Sequence, residues 1–500
     1  MKESEYYGIM GDEMKDCSKK ELLCVSTRYV YKNKIKEAFT GIVDLEKLDA
    51  VAISGKILSI LLPLKLDNDK CVGFAFDGAS VMAGSNNGVQ AKLKEIYINA
   101  IYCHCHSHRL NLALVSVSKF NSDISDFFDL MSSVSTFLGG SVRHAVFTEI
   151  QKQRREKKPL LILVKPCETR WLSNSSTCDH FLTLFDIILE TLEQLTKSKN
   201  PETSNGAMGY LHRLQCKRFI FLLITFNTVL DAADFATKGL QCTNTNVSSV
   251  IDTIEVLKEK MDEFRTDEFY EKLDQHVLEV MKRNDIEQIV PFTGSKRRRT
   301  KIPKYLEEYF VTANVEISDF ESEGNFKSLL FIIIDKIKLE LNARFQNDQY
   351  NVMKCVRALL PSNDNFLATF SLSSVKYVAM RYGLSISDSE FDMFRRVVKK
   401  RDDAADLNDL LSVIDIINQD VFEKMYTLYI IVLSLPQTSV KVERVFSTVS
   451  LIKSEKRSTM STFRLNNLTA LSCEKEVLSQ LNPDDIIDVF CEKPRALNFS

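Results

Sequence analysis

The sequence predicts an α/β protein in which a mixed β-sheet carries helices on its faces and is interrupted by a large, mostly helical block. Three observations predict it. Leu22 to Tyr31 and Lys36 to Val43 alternate apolar and polar residues with the period of successive, antiparallel strands. Val72 to Phe76 is an apolar run of strand length, closed by Asp77 and by Gly78, a residue type that punctuates strands. From about Ile124 to Tyr429 strand signals give way to long patterns of helical spacing, clearest over Asp126 to Lys157 and Val250 to Asn284.

Taken in order, Tyr6 to Met10 is a short strand that delivers Asp12 at its end, ahead of the two alternating strands. Leu48, Val51, Ile57, Leu58, Leu61 and Leu62 then repeat at helical spacing before the Cys71 strand. Gln90 to Tyr97 reads as a helix, Ala100 to Cys103 as a strand, and Ser107 to Lys119 as a helix again. The order strand, strand, strand, helix, strand, helix, strand describes a mixed sheet, for which a ribonuclease H-like layout is one natural solution. Towards the C-terminus the apolar run Tyr426 to Leu435 ends at Pro436, and Thr438 or Ser439 can cap a helix with Glu443 in its first turns. Arg464, Leu465, Leu468 and Leu471 begin a further amphipathic helix, suited to packing on the sheet or on a second subunit.

Composition bounds the function. With 500 residues, 45% of them hydrophobic, the chain can bury a large core. A net charge of -2 gives no global basic field, so contact with nucleic acid must come from local patches. The 12 cysteines are scattered and no leader with a basic start and an apolar centre opens the chain, which favours a reducing compartment. The longest apolar runs, Phe219 to Phe226 and Leu329 to Ile334, fall short of the roughly 18 residues that span a bilayer, so no membrane segment is expected.

Chemistry is expected at strand ends, because open α/β sheets gather ligands and reactive groups outside the carboxyl ends of their strands. Asp12 and Asp77 are so placed, each with an alternative: Asp77 can simply cap the next turn, and Glu13 or Asp16 can replace Asp12. Cys103, His104, Cys105, His106 and His108 form a cluster too crowded for a recognised structural zinc site. Phe292 to Pro303 combines Gly, Ser and Pro with Lys296, Arg297, Arg298, Arg299 and Lys301, an exposed basic loop that can bind phosphates, direct nuclear import or be a solvated charge run. Trp171, the only tryptophan, reads by itself as a core residue.

Five strings in order, those around Asp12, FAFDGASVMAG, CHSHRLNL, ETRW at Glu168 to Trp171, and VERVFSTVSLIKSEKRSTMS, resemble the hAT superfamily of transposases. Within it the chain looks most like the DUF4371 subgroup, to which MYM-type zinc-finger proteins of transposon origin belong. The resemblance runs from about Tyr6 to about Ser472. It implies a ribonuclease H-like fold interrupted by an α-helical insertion, with the catalytic, metal-binding acidic triad on Asp12, Asp77 and Glu443. Three carboxylates suit Mg²⁺ or Mn²⁺, which can activate the attacking oxygen and stabilise the leaving oxygen of a phosphoryl displacement. The family's Cys-x-x-His motif falls on Cys105 and His108, and its Arg-Trp pair, a base-stacking element, on Arg170 and Trp171.

The domain expectation is a first part of the core over 1–123, a helical insertion over 124–430 with the basic loop at 292–303, and a C-terminal dimerisation region over 431–500 that completes the core. Family members place a zinc-binding recognition domain ahead of the core, whereas this chain begins a few residues before its first strand, and Gly11, Met14 and Lys15 depart from the subgroup's pattern around Asp12. Two readings follow. One is a nuclear, metal-dependent enzyme of DNA cleavage and strand transfer; the other is an inactive, domesticated, dimerising interaction or DNA-binding protein. For either, a homodimer through the C-terminal helices and weak, non-selective DNA binding are expected.

Overall fold

A computed structural model describes residues 4–118, 120–156, 158–167, 174–241, 247–286, 323–345, 356, 358–361, 366, 369–401 and 410–492. The chain divides into two compact units, one of residues 1–109, 239–252 and 346–500, the other of residues 110–238 and 253–345. The segment after 346 is thus grouped with the N-terminal sheet.

The sheet unit holds five strands: β1 (Tyr7–Lys15), β2 (Glu21–Tyr31), β3 (Lys34–Leu45), β4 (Cys71–Phe76) and β5 (Ile101–His104). Their order is β3-β2-β1-β4-β5, antiparallel across β3, β2 and β1 and parallel across β1, β4 and β5. This is the predicted mixed sheet. In chain order the helices named below are α1 (Ala50–Leu61), α2 (Val89–Lys94), α3 (His106–Ser118), α4 (Lys217–Leu240), α5 (Glu423–Ser434), α6 (Val440–Ile452), α7 (Thr462–Cys473) and α8 (Pro483–Cys491), of which α4 belongs almost wholly to the helical unit.

Strand periodicity sorts the core into two layers. Ile9, Leu23, Val25, Phe74 and Phe76 bury one face of the sheet against Ile53 and Ile57 of α1 and Val89 and Leu93 of α2. Met10, Leu22, Cys24 and Ala75, their alternates, bury the other face against Val442, Val445 and Val449 of α6 and Leu465 of α7. Side chains two residues apart along a strand share a face, so this division fixes where every later residue of β1 and β4 points.

α5 feeds α6 through a tight crossing that sequence reading missed. Gly8 and Gly73 are partners in the β1–β4 register, and Pro436 lies against both. A Cβ on Gly8 would stand 2.5 Å from Pro436 Cδ and 2.6 Å from the Ser434 carbonyl oxygen, so only glycine lets the chain pass there. Arg28, buried in β2, holds the end of α5 by donating to the Leu433 carbonyl at 3.0 Å, and it pairs with Glu37 of β3 at 2.9 Å.

The helical unit departs from the predicted long helices. The pattern over Asp126 to Lys157 is two helices, Ser122–Leu138 and Ser141–Arg154, separated at Gly139 and Gly140. Likewise the pattern over Val250 to Asn284 breaks at Thr266, whose side chain accepts the Phe269 N–H and starts Asp267–Arg283 afresh. Here glycine and a capping threonine overrode an unbroken apolar period. α4 is long and apolar enough by length and composition to cross a membrane, which the run-length reading did not anticipate. However, 67% of that window is buried, and Phe219 and Phe226 pack on Phe127.

Candidate functional site: a convergence of acids under helix α6

Asp12 shares the parity of Met10, and Asp77 that of Ala75, so both continue the face of the sheet that α6 covers. In the parallel register Met10 pairs with Ala75. Two residues further along, Asp12 is still within β1, paired with Cys24 of β2, while Asp77 is the first residue after β4. α6 crosses this face on Val442, Val445 and Val449, and Glu443 sits next to the first of them, in the helix's first turn. Asp12 in β1, Asp77 just after β4 and Glu443 on α6, the last more than 350 residues downstream by the numbering 77 and 443, lie close enough for the charges of Asp77 and Glu443 to act on Asp12.

Electrostatics report the same convergence. Burial is the largest influence on the Asp12 carboxyl, followed by the negative charge of Asp77, with Glu443 and Glu13 adding to it; together they push its pKa up to about 8, against one N–H donated by Glu13 at 2.9 Å. Glu13 is pushed up to about 7 by burial, by Asp77 and by Glu21. Carboxylates left to repel one another in a partly enclosed place are what a cation would relieve. The donor set, all hard oxygens, suits Mg²⁺ or Mn²⁺. Among the described residues, though, no three His, Cys, Asp or Glu side chains form a group that could hold a metal ion as they stand. The acids feel one another's charge without closing on a single point.

The loop after β4 is held in place by its neighbours. Asp77 Oδ1 accepts the Ala79 N–H at 3.4 Å, and the Tyr102 hydroxyl donates to the Asp77 carbonyl oxygen at 2.9 Å. The ring of His104 lies on Gly78, where a Cβ would come within 1.9 Å of it. At the end of β5 the Cys/His cluster is internal. Cys103 Sγ and His106 Nε2 are 3.4 Å apart, and burial raises the Cys103 thiol to about 12 while it lowers the His106 imidazole well below its usual value. Cys105 is fully buried; its sulfur accepts the N–H of Ser439, the residue before α6, at 3.3 Å. That contact takes the place of the side-chain cap expected from Thr438 or Ser439, since Ser439 makes no side-chain capping bond. Cys105 thereby positions the helix that carries Glu443. His108 is half-buried on α3, its ring 5.7 Å from that of His104. Arg170 and Trp171 lie outside the described residues, as do Lys296, Arg297, Arg298, Arg299 and Lys301.

Asp16, the alternative first acid, has a different employment. Its carboxylate pairs with Lys453, the residue after α6, at 2.6 Å, the two side chains being 1% and 0% exposed. It also accepts from the backbone of Ser18 and Lys20 and from the Ser18 hydroxyl. Burial acts to raise its pKa, but the Lys453 ammonium and these donors outweigh that and hold it below the usual carboxylate value.

Comparison with known proteins agrees at both ends of the chain. The DUF4371 family, described as ZMYM1/FAM200, RNase-like domain, matches residues 2–88, and the hAT family C-terminal dimerisation region matches residues 398–477. The chain is therefore similar at its two ends to hAT-derived, transposase-like proteins, with a DUF4371-type match ahead and a hAT dimerisation-region match behind, the family that the motifs resemble. Among individual relatives, the "52 kDa repressor of the inhibitor of the protein kinase" of Mus musculus and that of Homo sapiens are each 23% identical to this chain over 516 residues, covering 98% of it. The chain spans 64% of the length of these relatives.

Proposed function

We propose that this chain is a domesticated relative of the hAT transposases that acts by binding: a nuclear, self-associating protein that contacts DNA. The observation that carries the reading is the pairing of a dimerisation-region match with relatives aligned over nearly the whole chain and named as repressors. We read the five-stranded sheet with its helical interruption as ribonuclease H-like, retained as a scaffold. Self-association has surface to use at the C-terminal helices. Leu465 of α7 is buried in the sheet core, whereas Phe463, Leu471, Ile487 and Val489 of α7 and α8 are 78%, 50%, 56% and 65% exposed. The predicted stripe of Leu465, Leu468 and Leu471 is thus split between the core and the surface.

The convergence of Asp12, Asp77 and Glu443 favours a second reading, in which DNA cleavage survives. Those three residues would then hold Mg²⁺ or Mn²⁺, whose chemistry is to polarise phosphoryl oxygens and lower the pKa of bound water. In that reading Cys105 sets the register of α6, and Asp12 gives up its proton when the cation arrives.

One experiment separates them. The full chain is sized by light scattering and incubated with labelled duplex DNA in Mg²⁺ or Mn²⁺, beside Asp77→Asn. A dimer that binds duplex in a salt-dependent way and leaves it uncut supports the binding reading. Metal-dependent nicking that disappears in Asp77→Asn establishes the enzymatic one, and a monomer that binds no duplex contradicts both.

A further inference from the structure

α6 has two flanks. One presents Glu443 to the acids; the other, with Lys441 and Arg444, borders a groove of about 860 Å³ between the β2–β3 hairpin and the segment from Cys473 to Gln480. Lys32, Lys34 and Lys36 of the hairpin and Lys475 complete its cationic lining, six positive side chains in all against the carboxylates of Glu37, Glu474 and Glu476. Those acids are already engaged. Glu37 is shared between Arg28 and Arg444, at 2.9 and 3.2 Å, and Glu476 holds Lys36 at 2.5 Å. Glu474 accepts the Phe39 N–H at 2.7 Å. No described acid forms an ion pair with Lys32, Lys34 or Lys475, so the groove keeps a surplus of positive charge.

The hairpin presents that charge deliberately. Lys32 and Asn33 form its two-residue turn with φ of 48° and 53°, the left-handed pair that a type I′ turn requires and that Asn and Gly fill with least strain. Asn33 suits the position and is anchored to Asp415 at 3.0 Å. Lys32 does not suit it, yet it stands exposed at the tip. Lys34 and Lys36 follow on one side of edge strand β3, about 7 Å apart at two residues' rise. Tyr29 and Tyr31, also on the lining, place phenol groups of the kind that hydrogen-bond phosphate oxygens.

We propose that this groove is a docking track for the sugar-phosphate backbone of duplex DNA, separate from the acid site and on the opposite flank of α6. Evenly spaced cations on a rigid strand, a lysine at a turn tip and phenolic donors are the sequence-independent elements by which proteins neutralise a duplex that carries one charge per roughly 3.4 Å of each strand. The proposal deepens the DNA-binding reading above and rests on it for the identity of the polyanion.

The test uses the full chain with Arg297, Arg298 and Arg299 replaced by serine, so that this basic run of the sequence does not mask the result. A fluorescently labelled mixed-sequence duplex is titrated at several salt concentrations with this chain and with the same chain carrying Lys32→Glu, Lys34→Glu and Lys475→Glu. Removing three phosphate contacts should make the slope of log K against log salt shallower by about 3 and weaken low-salt binding by at least about tenfold. An unchanged slope and affinity in a variant with an unchanged melting temperature overturns the groove while leaving DNA binding by the chain intact. Should the glutamate variant fail to fold, the triple glutamine variant, which removes the charges without reversing them, is read by the same slope. A parent chain that binds no duplex at any salt overturns both the groove and the reading it rests on. Displacement of the duplex by polyglutamate at equal charge concentration would assign the groove to an acidic polypeptide and overturn the proposal as well.

Discussion

Asp12 lies within β1 and Asp16 just beyond its end, and burial acts to raise the pKa of both, but the charges that surround them have opposite signs. Asp16 meets a buried lysine, two backbone N–H groups and a hydroxyl, and its pKa falls. Asp12 meets burial, Asp77 and Glu443, and its pKa rises to about 8. The pair teaches how a structural acid is told from a functional candidate on the same strand. An acid that stabilises the fold is neutralised by its neighbours; an acid whose neighbours share its sign destabilises the fold and needs an outside partner. Asp16 is engaged within the fold, and its pair with Lys453 is an electrostatic anchor for the far end of α6.

The largest expected effect comes from breaking that anchor. Lys453→Met leaves a carboxylate buried and unpaired, and urea unfolding should show a loss of about 3–5 kcal/mol, of which most returns when Asp16→Asn is added. A loss of similar size in the double variant would mean that packing, and not the ion pair, holds α6. Gly8→Ala should cost about 1–3 kcal/mol, because the Ser434 carbonyl and Pro436 must retreat from the new Cβ. A melting temperature within a degree of the parent's would show that the α5–α6 crossing is looser than its geometry indicates. Smaller again is the response to cations. At pH 7.5, saturating Mg²⁺ or Mn²⁺ should raise the melting temperature of the parent chain by an amount worth about 1–2 kcal/mol, and much less in Asp77→Asn, through mass action on the folded state. An equal rise in both would place the cation elsewhere.

Much of this was legible in the sequence, and the reason is local. All five strands, α1 and the helices around Glu443 and Leu465 follow from periodicities of two and of three to four residues, and Asp77 from its place after an apolar run, whereas Asp12, expected at the end of a strand closing at Met10, lies inside β1, which pairs on with β2 as far as Lys15. Legibility failed where the decisive contact is distant. The Asp16–Lys453 pair joins residues 437 positions apart, and Gly8 and Gly73 acquire their meaning only from Pro436. The cationic groove is assembled from a hairpin and two C-terminal segments, none of which is strongly basic alone. Gly139 and Gly140 were a readable signal, passed over because the apolar spacing continues across them. Cys105 was readable as part of a cluster but not as the acceptor that sets the start of α6.

The account turns on the acids at the end of β1 and β4 being held together against their repulsion, and the stability of Asp12→Asn as a function of pH tests this most directly. The carboxyl's pKa rises from 3.8 to about 8 on folding, so the folded state keeps a proton that the unfolded state releases, and stability is lost as pH climbs through that window. Asn carries no such charge. Paired unfolding curves should coincide near pH 4 and separate as pH rises, with Asp12→Asn the more stable by more than about 1 kcal/mol at pH 8. A difference that is constant with pH, or a variant that becomes the less stable partner as pH rises, would contradict the convergence of Asp12, Asp77 and Glu443.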